Sequence, residues 1–154
     1  MLPASSNSAA ATAIAANIAQ TSKADLTALE VLPTAVPVIR AIAMPADTNP
    51  AGDIFGGWLM SQMDLAAANV AFRLSRGRAA TIAVDAMSFL RPVKVGDEVS
   101  FYAELVRLGR SSMRIHVQAW RRDPFANECI KVTDAHFTFV AIDEAGNPRP
   151  VPRD

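Results

Sequence analysis

Two neighbouring features of this chain could do chemistry together, and the first is a pair of glycines. Gly56 and Gly57 follow Asp53 and Phe55 at the predicted start of a long helix. Paired glycines let another group approach the backbone closely, and the first turn of a helix offers free N–H groups at the positive end of its dipole. Such a helix start can bind an anion or stabilise an oxyanion. Alternatively, Asp53 is an N-cap and the glycines only allow tight packing.

The second feature is Asp64, which lies between Met63 and Leu65 in the middle of the same predicted helix. A carboxylate among apolar side chains costs free energy unless it is paired or functional, so Asp64 is a candidate general base. Alternatively, Asp64 lies on a polar strip with Ser61 and Gln62, or it accepts a hydrogen bond from a neighbouring backbone N–H.

The spacing of these two features predicts how they would have to meet. Gly57 and Asp64 are seven residues apart, which is about 10 Å along one helix. A reacting atom must lie ~3 Å from both the base and the oxyanion donors, so one helix cannot easily supply both. Two antiparallel helices, one from each subunit of a two-fold dimer, could do so. We therefore expect two equivalent active sites at a dimer interface.

The elements that must position these residues can be read from the hydrophobic periodicity. An apolar run at residues 36–44 predicts a strand, and residues 54–76, with no internal proline, predict one helix that ends at Gly77. The period then changes to two over four further predicted strands, at about 80–86, 99–105, 113–120 and 130–142. Short turns between strands imply antiparallel pairing. The predicted class is α+β, with one long helix on a curled antiparallel sheet.

We expect the core-facing stripe of the helix to contain apolar residues at three- and four-residue spacing. These are Leu59, Met63, Ala66, Val70 and Leu74.

The amino-acid composition of the chain argues against several functional classes. The chain has 154 residues, with 15 basic residues balanced by 15 acidic residues, so nothing indicates a nucleic-acid partner. Its one cysteine, Cys129, excludes an internal disulfide or a cysteine metal cluster. His116 and His136 are scattered over predicted strands and form no metal-ligand spacing. No run approaches the ~18 apolar residues that a membrane span needs. We expect no metal, no membrane segment and a cytoplasmic location.

The first part of the chain differs from the rest. Residues 1–36 are rich in Ala, Ser and Thr and contain neither an aromatic residue nor an arginine. We interpret them as a flexible arm that precedes a domain over residues 37–154. The arm lacks the basic and leucine-rich regions of a secretory signal and the arginines of a transit peptide. Alternatively, it packs on a neighbouring subunit.

Two consecutive stretches carry a family resemblance. Residues 44–49 (MPADTN) and 52–64 (GDIFGGWLMSQMD) strongly resemble hot-dog-fold acyl-CoA thioesterases, most closely the YciA-like branch, which is related to the brain-type acyl-CoA hydrolases. Weaker similarity lies at residues 88–93, 95–97, 109–112 and 133–135. The resemblance covers about residues 38–153. It implies the hot-dog fold, in which a five-stranded antiparallel sheet wraps round one long helix, and assembly as trimers of dimers.

The resemblance also assigns roles to individual residues. It makes Asp64 the general base or nucleophile, and it makes the Gly57 N–H the donor that polarises the thioester carbonyl. Asn49 and Asp53 match polar positions near the catalytic loop and are the further catalytic candidates. The residues expected to contact the substrate are Phe55, Gly56, Arg91, Gly109, Arg110, Ser111 and Ser112, with the last four near the nucleotide or pantetheine arm of CoA.

The implied function is hydrolysis of acyl-CoA to a free fatty acid and CoA. CoA is part of the substrate, so no separate cofactor is expected. An alternative is a non-catalytic module that binds acyl-CoA for regulation. Retention of Asp64 and the paired glycines favours the enzyme.

Overall fold

The structure, a computed structural model, describes residues 30–154. Most of the predicted arm, residues 1–29, lies outside the described residues, so its flexibility stays a prediction. The elements are β1 (Ile39–Ile42), a short 3-10 turn (Pro45–Asp47), α1 (Gly56–Ser75), β2 (Ala79–Val84), β3 (Glu98–Leu108), β4 (Ser112–Arg122) and β5 (Cys129–Ala141).

The five strands form one antiparallel sheet in the order β1-β3-β4-β5-β2. The helix contacts four of them, β2 to β5. This arrangement confirms the predicted class, one long helix on a five-stranded antiparallel sheet. No helix among residues 30–154 is long and apolar enough to cross a membrane.

The core lies between α1 and one face of the sheet. Alternate residues are buried over most of β4 and β5, as period-two patterning predicts, whereas β2 has no buried residue. The largest fully buried side chains of the core include Phe101, Phe137, Phe139, Met63, Met113 and Ile115. On α1 the predicted stripe is correct at Leu59, Met63 and Ala66. It then continues through Ala67, Ala71 and Ser75, while Val70 and Leu74 are only partly buried. Small side chains at these positions let the second half of the helix lie close to the sheet.

Several predicted element ends were wrong, including those of β1 and the C-terminal end of α1. β1 is shorter than residues 36–44, because Pro37 and Pro45 flank it and proline cannot donate to a strand ladder. The left-handed residue that ends α1 is Arg76, with φ 50°, and not Gly77. A Cβ at Gly77 would lie 2.7 Å from Nη2 of Arg149. That guanidinium donates to the Ser75 carbonyl at 2.9 Å, where a cation stabilises the helix C-terminus.

The sheet face opposite the helix carries a stacked pair of histidines. The rings of His116 and His136 lie 4.8 Å apart at 26°. His116 Nε2 lies 2.8 Å from a carboxylate oxygen of Asp134, whose other oxygen accepts from Lys131 at 3.0 Å. Burial raises the pKa of Asp134, but the hydrogen bonds from His116 and Lys131 outweigh burial and hold this pKa below 3.8. Asp134 therefore stays charged near neutral pH.

The pKa of His136 responds to all of its charged neighbours. Burial lowers it below the usual 6.5, and the charges of His116 and Arg114 lower it further against the opposing effect of Asp85 and Asp134. The folded state thus favours neutral His136, whereas the unfolded chain takes up this proton near pH 6.5. The stability that His136 contributes is complete above that pH and is lost as the pH falls through the lower folded value.

We therefore expect His136→Asn to flatten the pH dependence of stability. Between about pH 7.5 and 5, the free energy of unfolding should fall less in the variant than in the wild type, because asparagine does not titrate. Urea denaturation at each pH measures this difference. Equal slopes in the two proteins would show that His136 titrates alike in the folded and unfolded states.

Candidate active site

A closed loop leads into α1, and Asn49 organises it. Its side-chain Oδ1 accepts hydrogen bonds from the backbone N–H groups of Ala51, at 3.0 Å, and Asp53, at 3.1 Å. Its own N–H donates to the Asp53 carbonyl at 2.7 Å. Gly52 completes the turn with φ 86°, a backbone conformation that other residues rarely adopt. The observed contacts of Asn49 therefore fix the path of the backbone into the helix.

Asp53 does not cap the helix, so the N-cap alternative was wrong. The N-cap residue is Phe55, whose side chain cannot accept a hydrogen bond from the first backbone N–H groups of the helix. The Asp53 carboxylate instead pairs with Lys94 Nζ at 3.0 Å, and both side chains are about half exposed. This pair joins the loop before α1 to the connection between β2 and β3. Exposed ion pairs of this kind contribute little to the free energy of folding, so the main effect of this pair is to hold the loop in position.

The first turn of α1 leaves two donors available. The Phe55 carbonyl accepts from Trp58 and Leu59, at 3.1 and 3.4 Å. Within residues 30–154, nothing accepts a hydrogen bond from the N–H of Gly56 or Gly57. A Cβ at Gly57 would meet nothing within 4 Å, so this backbone can be approached closely. Free donors and open space are what an oxyanion site needs, and the oxyanion role of Gly57 stays a prediction.

Gly56 is constrained more tightly than Gly57. A Cβ there would lie 3.1 Å from Cζ of Phe89. Phe89 and Phe55 are both about half exposed beside this turn. The helix start thus combines free backbone donors with an aromatic surface, which suits a ligand that has a polar reacting group on an apolar chain.

Asp64 is a residue of α1, and its side chain reaches strand β2. Its Oδ1 accepts a hydrogen bond from the Thr81 hydroxyl at 2.7 Å. Asp64 is only partly buried, with Leu65 beside it 57% exposed and Ile82, next to Thr81, 60% exposed. The carboxylate is therefore oriented by a hydroxyl on an otherwise apolar surface, and it does not cap a backbone N–H. Sequence reasoning missed Thr81, although a hydroxyl among apolar strand residues was a usable signal.

The other predicted site residues lie on separate elements. Arg91 donates to the Lys131 carbonyl at 2.7 Å and so ties the loop after β2 to β5. Residues 109–112 form the tight turn between β3 and β4, in which the Gly109 N–H donates to the Ser112 carbonyl at 2.8 Å. The predicted separation of Gly57 and Asp64 along one helix also stands, because α1 is continuous between them. One protomer does not bring the two together.

The surface around Asp64 is apolar and ends in an unpaired strand edge. Among the strands of residues 30–154, β2 pairs only with β5, which leaves its other edge without a strand partner there. Ile82 and Val84 on β2, and Leu65 and Phe72 on α1, are all at least 39% exposed. Contiguous exposed apolar groups beside a free strand edge indicate a protein interface.

Among residues 30–154, no group of three or more His, Cys, Asp or Glu side chains is placed to hold a metal ion.

Comparison with known proteins identifies the family. The model of the thioesterase superfamily matches residues 51–124, which include the helix start and Asp64. The acyl-CoA thioester hydrolase YciA of Salmonella typhimurium is 47% identical over 131 residues, which are 82% of this chain and 98% of that protein. The chain belongs to the YciA-like branch of the thioesterase superfamily. The resemblance predicted from residues 44–64 is thereby confirmed.

Solved structures confirm the fold of this YciA-like chain. HI0827, a hexameric broad-specificity acyl-coenzyme A thioesterase, matches with a TM-score of 0.76 and 45% identity over 80% of this chain and 86% of its own. A second structure of HI0827 is that of the mutant enzyme in which one aspartate is replaced by alanine. A hexameric hotdog-fold thioesterase of Campylobacter jejuni, Cj0915, matches with a TM-score of 0.72 and 40% identity over 77% of this chain and 91% of its own.

Proposed function

We propose that the protein is an acyl-CoA thioester hydrolase that releases a free fatty acid and CoA. Its YciA-like relatives have this activity in their names. The observation that carries the proposal is the Asp64 carboxylate, oriented by Thr81, on the same helix that begins with the two free donors of Gly56 and Gly57. A base and an oxyanion site are the two groups that thioester hydrolysis needs.

In the proposed reaction, the Gly57 N–H donates a hydrogen bond to the thioester carbonyl oxygen. Asp64 takes a proton from a water molecule, whose oxygen attacks the carbonyl carbon. The negative charge that develops on the carbonyl oxygen is stabilised by the helix start. Collapse of the tetrahedral intermediate breaks the C–S bond, and the CoA thiolate leaves and takes up a proton. Direct attack by Asp64, followed by hydrolysis of the resulting anhydride, is the second possible route.

In our proposal, the oxyanion donor and the base of one active site come from two different subunits. Gly57 of one protomer faces the partner subunit's Asp64, because the two residues on one helix lie about 10 Å apart. The apolar surface on α1 and the free edge of β2 support this pairing, since both would be covered in a dimer. HI0827 and Cj0915 are hexameric, so we propose a trimer of such dimers here.

The remaining site residues hold the substrate or the loop in place. We assign Asn49 and Asp53 to positioning of the helix start, on the basis of their hydrogen bonds. The proposed substrate contacts are Phe55, Gly56, Arg91, Gly109, Arg110, Ser111 and Ser112. The reaction as written uses water and this chain's own residues, with no separate cofactor. A cytoplasmic location stays a prediction from the sequence.

Release of free thiol from acyl-CoAs of increasing chain length tests the proposal directly. The wild type should release thiol well above the rate of Asp64→Ala for at least one chain length. If both proteins bind acyl-CoA but release thiol at the same background rate, the non-catalytic binding module is correct instead.

Thr81 should act as a positioning residue. We expect Thr81→Val, which keeps the side-chain shape but removes the donor to Asp64, to lower kcat about tenfold with little change in KM. Thr81→Ser keeps the hydroxyl and should recover most of the activity. If Val and Ser variants are equally active, the hydrogen bond at 2.7 Å has no part in orienting the base.

A further inference from the structure

The connection between β2 and β3 places an aromatic ring against the first turn of α1. A Cβ at Gly56 would lie 3.1 Å from Cζ of Phe89, 3.3 Å from Cε2 and 3.6 Å from Cε1. The outer end of the ring therefore lies against the Gly56 backbone, and a larger residue at this position would push the ring away. Gly56 and Phe89 thus fit each other closely, next to the free N–H group of Gly57.

The backbone on both sides of Phe89 is fixed to strand β5. The Thr133 hydroxyl donates to the Ser88 carbonyl at 2.8 Å, and the Leu90 N–H donates to the Val132 carbonyl, also at 2.8 Å. Thr133 has no exposed surface, and a buried hydroxyl costs free energy unless it is hydrogen-bonded. Its bond to Ser88 satisfies this hydroxyl and at the same time holds the backbone that carries the ring.

The anchored ring does not fill the core. Phe89 is 45% exposed, although burial of a phenylalanine side chain is strongly favourable, and Phe55 is 50% exposed at the helix start beside it. The Gly57 N–H is one residue along the backbone from the point that Phe89 contacts. A carbonyl group that accepts from this N–H brings its neighbouring carbons to the helix start, where the ring offers them an apolar surface.

We propose that Phe89 is a specificity-determining residue, whose ring packs on the first carbons of the acyl chain next to the thioester carbonyl. Thr133 is a positioning residue that acts on the substrate only through Ser88 and the ring. This assignment rests on the proposed function and deepens it. An aromatic ring favours methylene groups at these carbons, whereas a hydroxyl or carboxylate there loses water without gaining a hydrogen bond. The enzyme therefore prefers unsubstituted acyl chains over chains with a polar group near the thioester.

Two substrates that differ by one hydroxyl test the contact. Butyryl-CoA has a methylene at its third carbon, and 3-hydroxybutyryl-CoA carries a hydroxyl there. The ratio of kcat/KM for the two substrates is measured in the full-length wild type, in Phe89→Ala and in Phe89→Leu. Phe125→Ala is the matched control, because it removes the same ring from the connection between β4 and β5, where Phe125 is 97% exposed.

The wild type and Phe125→Ala should prefer butyryl-CoA about tenfold, since an apolar contact with one or two methylene groups changes kcat/KM by a factor of this size. Phe89→Ala should reduce the preference to about twofold or less, chiefly by slowing hydrolysis of butyryl-CoA. Phe89→Leu should give an intermediate ratio, because leucine is apolar but smaller. A ratio in Phe89→Ala that equals the ratio in Phe125→Ala overturns the proposal.

Thr133→Val separates positioning from a general loss of activity. It keeps the shape of the side chain and removes the donor to Ser88, so the ratio should fall toward that of Phe89→Ala, whereas Thr133→Ser should keep the ratio of the wild type. A merely structural role would lower kcat/KM for both substrates alike and leave their ratio unchanged, which contradicts the role of Thr133. The variants at residue 89 decide the specificity role even if Thr133→Val fails to fold.

Light scattering of Phe89→Ala at the concentration of the assay shows whether the ring packs on a second copy of the chain instead. An assembly of the same size as that of Phe125→Ala supports the contact with the acyl chain. A smaller assembly overturns the proposal, because the lost preference then follows from lost subunits.

The proposed function and the role of Phe89 fail in different ways. A wild type that binds both CoA esters but hydrolyses neither contradicts the proposed function, and titration calorimetry with the same esters and variants then decides whether Phe89 discriminates between them. An active enzyme whose ratio is the same with phenylalanine or alanine at residue 89 contradicts only the role of Phe89.

Discussion

Asp64→Asn is expected to lower kcat for acyl-CoA hydrolysis by about 10²- to 10⁴-fold, the usual contribution of a positioned general base. The amide has the shape of the carboxylate and its oxygen can still accept the hydrogen bond from Thr81, so the local structure is retained. It cannot take the proton of the attacking water, nor can it act as the nucleophile. Thiol release at saturating substrate measures kcat, and KM should change little because the contacts to CoA are untouched.

The control for Asp64→Asn removes a carboxylate that has no proposed role. Glu128 is exposed on the connection between β4 and β5, and Glu128→Gln should keep the kcat of the wild type. A value for Asp64→Asn within a few-fold of this control would eliminate Asp64 as base or nucleophile. Thermal unfolding of both variants establishes that any loss is not a loss of folding.

Activity is expected to return when two inactive variants are mixed, if the site is shared between subunits. Asp64→Asn removes the base and Gly57→Pro removes the oxyanion donor. Proline lacks an N–H group and is tolerated in the first turn of a helix. In a mixed dimer, one site combines the intact Gly57 of the first variant with the intact Asp64 of the second, and the other site contains both substitutions.

The expected recovery follows from random pairing. Half of the dimers are mixed and each has one intact site, so equal amounts should regain about a quarter of the wild-type activity. The two variants are unfolded and refolded together, and each variant refolded alone sets the baseline. A mixture that stays at this baseline, although mass spectrometry detects mixed dimers, would place both catalytic groups within one protomer.

Periodicity in the sequence was sufficient to predict the order and pairing direction of the elements. After Gly77, apolar residues recur at every second position instead of at helical spacing. This change arises because each strand buries one face, and the pattern is readable because it extends over many residues. Boundaries were less predictable, because they depend on single contacts. The end of α1 is one case, since the left-handed residue there is Arg76 and not the glycine that follows it.

The surroundings of the proposed catalytic pair were only partly predictable. Asp64 and Gly57 were identified from local sequence, but Thr81 reaches Asp64 across 17 residues of chain, and this contact depends on β2 lying at the edge of the sheet beside the helix. This contact does not follow from the spacing of the residues alone.

The free edge of β2 has a consequence for the newly made chain. If a second copy covers this edge as proposed, then before assembly the backbone groups of the strand and its exposed Ile82 can pair with any extended segment, so assembly would compete with aggregation. Raising the rate of synthesis speeds both processes. The register of β2 with β5 shifts between Thr81 and Ala83, and such a bulge twists a strand edge away from flat, indiscriminate pairing. The same irregularity that shapes the strand beside Asp64 would therefore also protect the chain before it forms the proposed dimer.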